Sequence, residues 1–211
     1  MALALTIVAL IAAALLSGMY VLTEEPIAKA KEAKQLAAKT EVMATADNLN
    51  FAEPTEYDGV KVYEALDKEG NKVGAAVETF DKNGFNGYFS IMVGFDNDGV
   101  ITGYSVLEQN ETPGLGANMV QWFKTDKGNQ NIVGLNPALK NMTVSKDGGD
   151  VDAITAATIT SRAFLRAVVR AHNAFTQASA PSDAISGASI VNADSTIVEL
   201  NEQQEIQQSY E

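Results

Sequence analysis

The stretch GYFSIMVGFDNDGVITGYSVLEQNETPGLGA (residues 87–117) decides how this chain is read. It holds two β-type runs, Tyr88–Phe95 and Val100–Leu107, split by Asp96-Asn97-Asp98-Gly99. Asp, Asn and Gly accept the backbone angles of a tight turn, so the two runs predict an antiparallel hairpin. The β pattern then stops at Glu111-Thr112-Pro113-Gly114-Leu115-Gly116-Ala117. One proline and two glycines set a tight path there, followed by a short predicted helix over Gly116–Lys124. Gly114 and Gly116 carry no Cβ, so a flat ligand could approach their main chain closely. Residue types alone leave the alternative open that this is an ordinary strand-to-helix loop.

Working outward, Val60–Leu66 and Val73–Phe80 are two further strand candidates. KEGNK (residues 68–72) and DKNGFNG (residues 81–87) supply the turns around them. Met142–Ser145 reads as a short additional strand. From Ser161 to about Gln177 the period becomes helical. Phe164, Leu165, Val168, Val169 and Phe175 fall near one face, and Arg162, Arg166 and Arg170 recur every fourth residue on another. Strands followed by a helix give an α+β domain over residues 49–177, an antiparallel sheet with flanking helices.

Just before that helix lies DGGDVDAITAATITS (residues 147–161), dense in glycine, carboxylates and hydroxyls. Thr160 or Ser161 can cap the helix. A phosphate held at this point would meet free N–H groups and the positive end of the helix dipole. The same residues equally describe a plain capped helix entry. Asp183-Ala184-Ile185-Ser186-Gly187-Ala188-Ser189 echoes residues 152–158 position by position, within a tail over residues 178–211 that has no Lys or Arg and one β-type run, Ser195–Leu200.

Residues 2–22 contain no charged side chain, and at about 1.5 Å per residue such a helix spans the hydrocarbon core of a bilayer. The run is long for a cleaved signal peptide and no basic residue precedes it, so a retained transmembrane anchor is expected. Residues 26–46 are rich in Ala, Lys and Glu and predict a helix leaving the membrane. Lys29, Lys31, Lys34 and Lys39 follow the span, which by the positive-inside rule points the domain to the cytoplasm, although Glu24, Glu25 and Glu32 dilute that signal.

Composition narrows the chemistry. A formal net charge of −12 over 211 residues argues against nucleic-acid binding, which needs clustered cations. With no cysteine, this chain holds no disulfide, thiolate nucleophile or iron–sulfur cluster. With His172 the only histidine, a multi-histidine metal site or a bis-histidine haem is excluded, so electrons moving through this chain need an organic cofactor.

The apolar span followed by LTEEPI (residues 22–27), the stretch 87–117, and DGGDVDAITAATITSRA (residues 147–163) occur in one order, and together they resemble the FMN-binding G subunit of the Rnf ion-translocating ferredoxin:NAD oxidoreductase complex. The resemblance runs from Leu3 to about Phe175. More distantly the chain is similar to the C subunit of the sodium-pumping NADH:quinone reductase. In this family the pattern Asp-x-x-Ser/Thr-Gly-Ala-Thr/Ser is the target of a flavin transferase, and its last hydroxyl becomes esterified to the phosphate of FMN. The resemblance thus implies FMN joined by a phosphoester to Thr158, with Asp152 and Thr155 as recognition positions. Thr160 and Ser161 would stand beside the phosphate at the helix start. Ala156 departs from the pattern, which has glycine there. The tail copy has Gly187 and ends in Ser189, a possible second attachment point.

The resemblance also implies that Glu111, Thr112, Gly114, Leu115 and Gly116 lie against the flavin ring, Thr112 and backbone N–H groups donating hydrogen bonds, with the Gly84–Tyr88 turn nearby. It implies an electron-relay subunit with no net activity alone, other membrane subunits of an Rnf-type complex as partners, and a domain on the periplasmic or extracellular side. This last expectation opposes the lysine signal. The alternatives are a stand-alone membrane-anchored flavoprotein and a non-redox binding or scaffold module.

Overall fold

The structure, a computed structural model, describes residues 2–43 and 48–179. Helix α1 (Ala2–Val42) leads into six antiparallel strands: β1 (Asn50–Phe51), β2 (Thr55–Tyr57), β3 (Val60–Leu66), β4 (Lys72–Gly84), β5 (Gly87–Asp96) and β6 (Ile101–Glu108). A 3-10 turn at Gly116–Asn118, helix α2 (Met119–Trp122), a second 3-10 turn at Ser145–Asp147 and helix α3 (Thr158–Ser179) follow. The sheet order is β1-β3-β4-β5-β6, with β2 also on β3.

The four expected strands are present, β3 with the expected bounds and the others within a few residues. β1 and β2 carry too few residues to register as a period. Met142–Ser145 is not a strand, because only a single parallel bridge joins Val144 to Val151. Helix α3 starts at Thr158, three residues before the expected Ser161. The apolar span and the Ala/Lys/Glu segment run as one helix through Pro26. The end of the 26–46 segment, the tail copy with Ser189 and the Ser195–Leu200 run lie outside the described residues.

The strand β5 is buried on both faces, which is why its sequence reads as a nearly unbroken apolar run. Phe89, Ile91, Val93 and Phe95 point to a large core shared with Phe164, Leu165, Val168 and Phe175 of α3. Met92 faces a smaller core on the opposite side, with Ala38, Val42 and Met43 at the end of α1. Leu5–Val42 contains the one helix, among the described residues, long and apolar enough to cross a membrane. Residues 5–22 are exposed, whereas its last turns are core.

Two glycines make that docking possible. Gly94 and Gly103 are cross-strand partners in the β5–β6 hairpin. A Cβ at Gly94 would lie 2.3 Å from the Val42 carbonyl oxygen, and one at Gly103 would lie 3.3 Å from the Val42 Cα. The Thr102 hydroxyl donates to the same Val42 carbonyl at 2.6 Å. Lys34 Nζ donates to the Leu107 carbonyl, and Gln35 Nε2 donates to Glu78 at 3.1 Å.

On the other face the arginine row fastens α3 to the sheet. Arg166 grips the buried Asp81 through Nε and Nη2 at 3.1 and 3.2 Å, and Arg170 donates to the Phe80 carbonyl at 2.8 Å. Phe164 stacks on Phe123 at 4.4 Å between ring centroids and meets Tyr104 edge-on at 5.0 Å. The Tyr104 hydroxyl donates to the Met119 carbonyl at 2.7 Å, which pins α2 beneath the loop that precedes it.

The substitution Gly94→Ala forces its methyl into the α1 backbone and costs about 1–3 kcal/mol, as overpacking does. Thermal melting of the detergent-solubilised chain reads this out, and an unchanged melting temperature refutes the docking.

Candidate functional site

Three segments far apart in sequence meet at one end of the sheet and enclose an open cleft of about 290 Å³. Phe85 comes from the β4–β5 turn, Glu111, Thr112, Leu115 and Gly116 from the loop after β6, and Ala156, Ala157, Thr158, Ile159 and Thr160 from the entry to α3. The volume is at the low end of the roughly 300–1,000 Å³ of ligand pockets, so an occupant as large as a flavin keeps part of its surface in solvent. Phe85, Leu115 and Ile159 form an apolar rim, 64%, 41% and 50% exposed.

Six of the residues expected from sequence line this cleft: Glu111, Thr112, Leu115, Gly116, Thr158 and Thr160. Four do not. Gly114 sits at φ +76° with nothing within 4 Å of where a Cβ would lie, so it is a turn glycine. The Asp152 carboxylate accepts from the Ser145 hydroxyl at 2.5 Å and from the Asn129 N–H at 2.9 Å, and these bonds hold its pKa below the ordinary value. Thr155 is exposed on the turn. Ser161 is fully buried, accepting from the Ile154 N–H at 2.9 Å and donating to the Ala157 carbonyl at 3.0 Å. These two bonds fold the chain back at 154–157, and the helix begins upstream of both expected capping residues.

Gly116 is a glycine for a reason internal to the protein. A Cβ there would fall 2.5 Å from Glu111 Oε2 and 2.7 Å from Thr160 Oγ1. A Cβ on Gly84 would fall 2.5 Å from Glu111 Oε1. Glu111 is thus sunk between two glycines, only 5% exposed, accepting from the Thr160 hydroxyl at 3.0 Å and from the Asn86 N–H at 3.4 Å. Asn86 Nδ2 also donates to the Asn110 carbonyl and to Thr112 Oγ1, at 3.0 and 3.3 Å, tying the hairpin tip to the loop. Phe85 and Asn86 were reachable from sequence only as members of the turn beside Tyr88.

Thr158 is the first residue of α3 and half-buried. Among the described residues the N–H groups of Thr158, Ile159 and Thr160 meet no backbone acceptor, whereas that of Ser161 bonds the Ala157 carbonyl at 3.0 Å. This is the usual donor set of a helix N-terminus, aimed where an anion attached at Thr158 would sit. One turn on, Arg162 is held by Asp147 through two bonds of 2.6 and 2.7 Å, and this partner lowers the Asp147 pKa.

The cleft lies at the end of the sheet from which α1 arrives. Helix α1 passes Leu107 at Lys34 and reaches Gly94 and Gly103 at Val42, so its earlier residues run out beyond the Gly84–Gly87 turn and the 109–116 loop. From Leu22, the end of the apolar run, to Lys34 is about 18 Å of helix.

Ala156 adopts φ +60°, the left-handed region where a side chain clashes with its own backbone. The position that departs from the attachment pattern is thus one where glycine is conformationally preferred. Ala156→Gly stabilises the folded chain by about 1 kcal/mol, after allowing for the greater freedom of unfolded glycine. Denaturant unfolding checks the sign, and a loss of stability refutes the assignment.

Comparison with known proteins agrees with this geometry. The FMN-binding domain family matches residues 84–173, a span that contains every residue of the cleft. The G subunit of the ion-translocating oxidoreductase complex of Aliivibrio fischeri strain MJ11 is 33% identical over 80% of this chain and 86% of its own length. The corresponding G subunit of Methanosarcina acetivorans is 32% identical over 78% of this chain and 87% of its own. A crystal structure of Shewanella oneidensis NqrC overlaps 61% of this chain and 70% of that one, at a TM-score of 0.39 and 22% identity, a likeness too slight to bear on function. An FMN-binding domain behind a single long apolar helix, with relatives of this identity along most of both chains, makes the chain a member of the G-subunit family of ion-translocating oxidoreductase complexes.

Proposed function

We propose that the chain relays electrons through FMN esterified by its phosphate to the Thr158 hydroxyl, as a membrane-anchored subunit of an Rnf-type complex. One observation carries the choice of residue. Of the four hydroxyls at the entry to α3, Thr160 and Ser161 are fully buried and bonded within the protein, and Thr155 lies outside the cleft. Thr158 alone is both accessible and part of the cleft wall, beside three N–H groups with no backbone acceptor. Asp152 and Thr155 stay at the surface, where a flavin transferase reads them.

When bound, FMN supplies acceptance of one or two electrons at a time. The residues do the rest. The Thr158–Thr160 N–H groups would face the phosphate, Phe85, Leu115 and Ile159 would hold the ring, and the shallowness of the cleft would leave the cofactor open to electron exchange. Covalent attachment explains how so open a cleft keeps its cofactor. The approach of α1 from the cleft end aims that opening toward the bilayer, where the other subunits of the complex lie. We assign the domain to the extracytoplasmic side, with the carboxylates at 24, 25 and 32 offsetting the lysines that follow the span.

Thr158→Val is nearly isosteric. It abolishes covalent flavin while leaving the melting temperature within about 1 kcal/mol equivalent, as surface changes do. Mass mapping of wild-type protein from a host with an active flavin transferase finds FMN on the peptide containing residues 152–162. An unmodified peptide refutes the attachment.

Sidedness is read from a single introduced thiol, because the chain has no cysteine of its own. Leu139, 82% exposed, is a suitable position. Leu139→Cys in intact cells reacts with a membrane-impermeant maleimide, and protection until lysis refutes the extracytoplasmic assignment.

A further inference from the structure

Two carboxylates are buried at the cleft end of the sheet, and the protein treats them differently. Asp81, 2% exposed, is gripped by the Arg166 guanidinium. Glu111, 5% exposed, forms no salt bridge among the described residues. Its two bonds are neutral ones, each from a donor: the Thr160 hydroxyl to Oε2 and the Asn86 N–H to Oε1. A backbone N–H only donates, so Oε1 serves as the acceptor there.

Burying a carboxyl group without a cation beside it costs stability. The fold nevertheless makes room for this one by placing glycine at both 84 and 116, whose Cβ atoms would strike its two oxygens. Its two oxygens tie the hairpin tip and α3 to the loop, a task that an uncharged acceptor would also perform. What distinguishes the location is the cleft, whose wall Glu111 forms together with Thr158 and Thr160.

We propose that Glu111 is a redox-tuning residue: its uncompensated carboxylate sets a fixed negative charge against the cofactor cleft and opposes the charge that flavin reduction adds. The inference rests on the reading that FMN occupies this cleft. Each electron accepted adds one negative charge to the cleft unless a proton from solvent accompanies it. Opposite charge favours a charged form and like charge disfavours it. The low dielectric of a buried group strengthens that interaction relative to a surface carboxylate. The Thr160 hydroxyl dipole partly offsets the carboxylate, so Thr160 modulates the same field with the opposite sign.

The test is an equilibrium titration of the flavin midpoint potential, with dithionite as reductant and mediator dyes, on full-length detergent-solubilised protein carrying FMN. Glu111→Gln keeps the shape and an acceptor oxygen but removes the charge, and shifts the potential in the positive direction. Thr160→Val keeps the charge but removes the offsetting hydroxyl, and shifts the potential in the negative direction. Glu111→Asp keeps the charge and stays on the wild-type side of Glu111→Gln. A loss of packing alone moves the variants in one common direction and overturns the proposal. So does Glu111→Gln with a wild-type potential and intact FMN on the 152–162 peptide. If Glu111→Gln does not fold, Thr160→Val decides alone, and a positive or absent shift overturns the proposal. FMN missing from the wild-type 152–162 peptide instead overturns the attachment reading, a result distinguishable by mass before any titration.

Discussion

The end of α1 rests on bare backbone. Gly94 and Gly103 face each other across β5 and β6, and the Val42 main chain occupies the space their side chains would fill. This contact makes the apolar helix an element of the domain instead of a leash. It closes the second face of the sheet, so β5 is buried on both sides. It also fixes the direction in which the helix leaves, past the end of the sheet that holds the cleft. If the contact opened, Met92, Ala76 and Tyr63 would face water and the domain would lose its bearing on the helix.

The cleft depends on a second junction. Glu111 draws together the tip of the β4–β5 hairpin, the loop after β6 and the first turn of α3. Asn86 reinforces it from the hairpin, and Ser161 fixes the helix start from within. On this framework Thr158 is held at the rim while its neighbours at 160 and 161 are buried. Which hydroxyl is available is thus a matter of helical phase: a helix starting three residues later would turn a different set of hydroxyls outward.

Much of this was legible. β5 and β6 announce themselves by apolar content around Asp96–Gly99, and α3 by its aromatic face and its arginine row. Family resemblance picked out the two cleft-lining loops, which composition alone left as ordinary loops. What escaped were contacts between residues distant in the chain. Gly94 and Gly103 look like interruptions in good strands until Val42, far earlier in the chain, is seen against them. Gly116 reads as a ligand-facing glycine, yet its lack of a side chain serves Glu111 and Thr160. The helix start was misplaced because four hydroxyls fall within seven residues, and Ser161, expected as a cap, instead donates to the Ala157 carbonyl from inside the first turn.

Pro26 has no backbone N–H, so the carbonyl four residues earlier, at Leu22, has no helical partner. Leu22 is also the last apolar residue before Thr23, Glu24 and Glu25. Inside hydrocarbon such an orphaned oxygen is expensive, and a headgroup layer supplies water for it at little cost. The break in the hydrogen-bond ladder is therefore a waterline drawn in the backbone, independent of hydropathy. Sliding the span deeper would drag a bare carbonyl and two glutamates into oil, so the helix resists being pulled inward at the same residue where its apolar surface resists being pulled out.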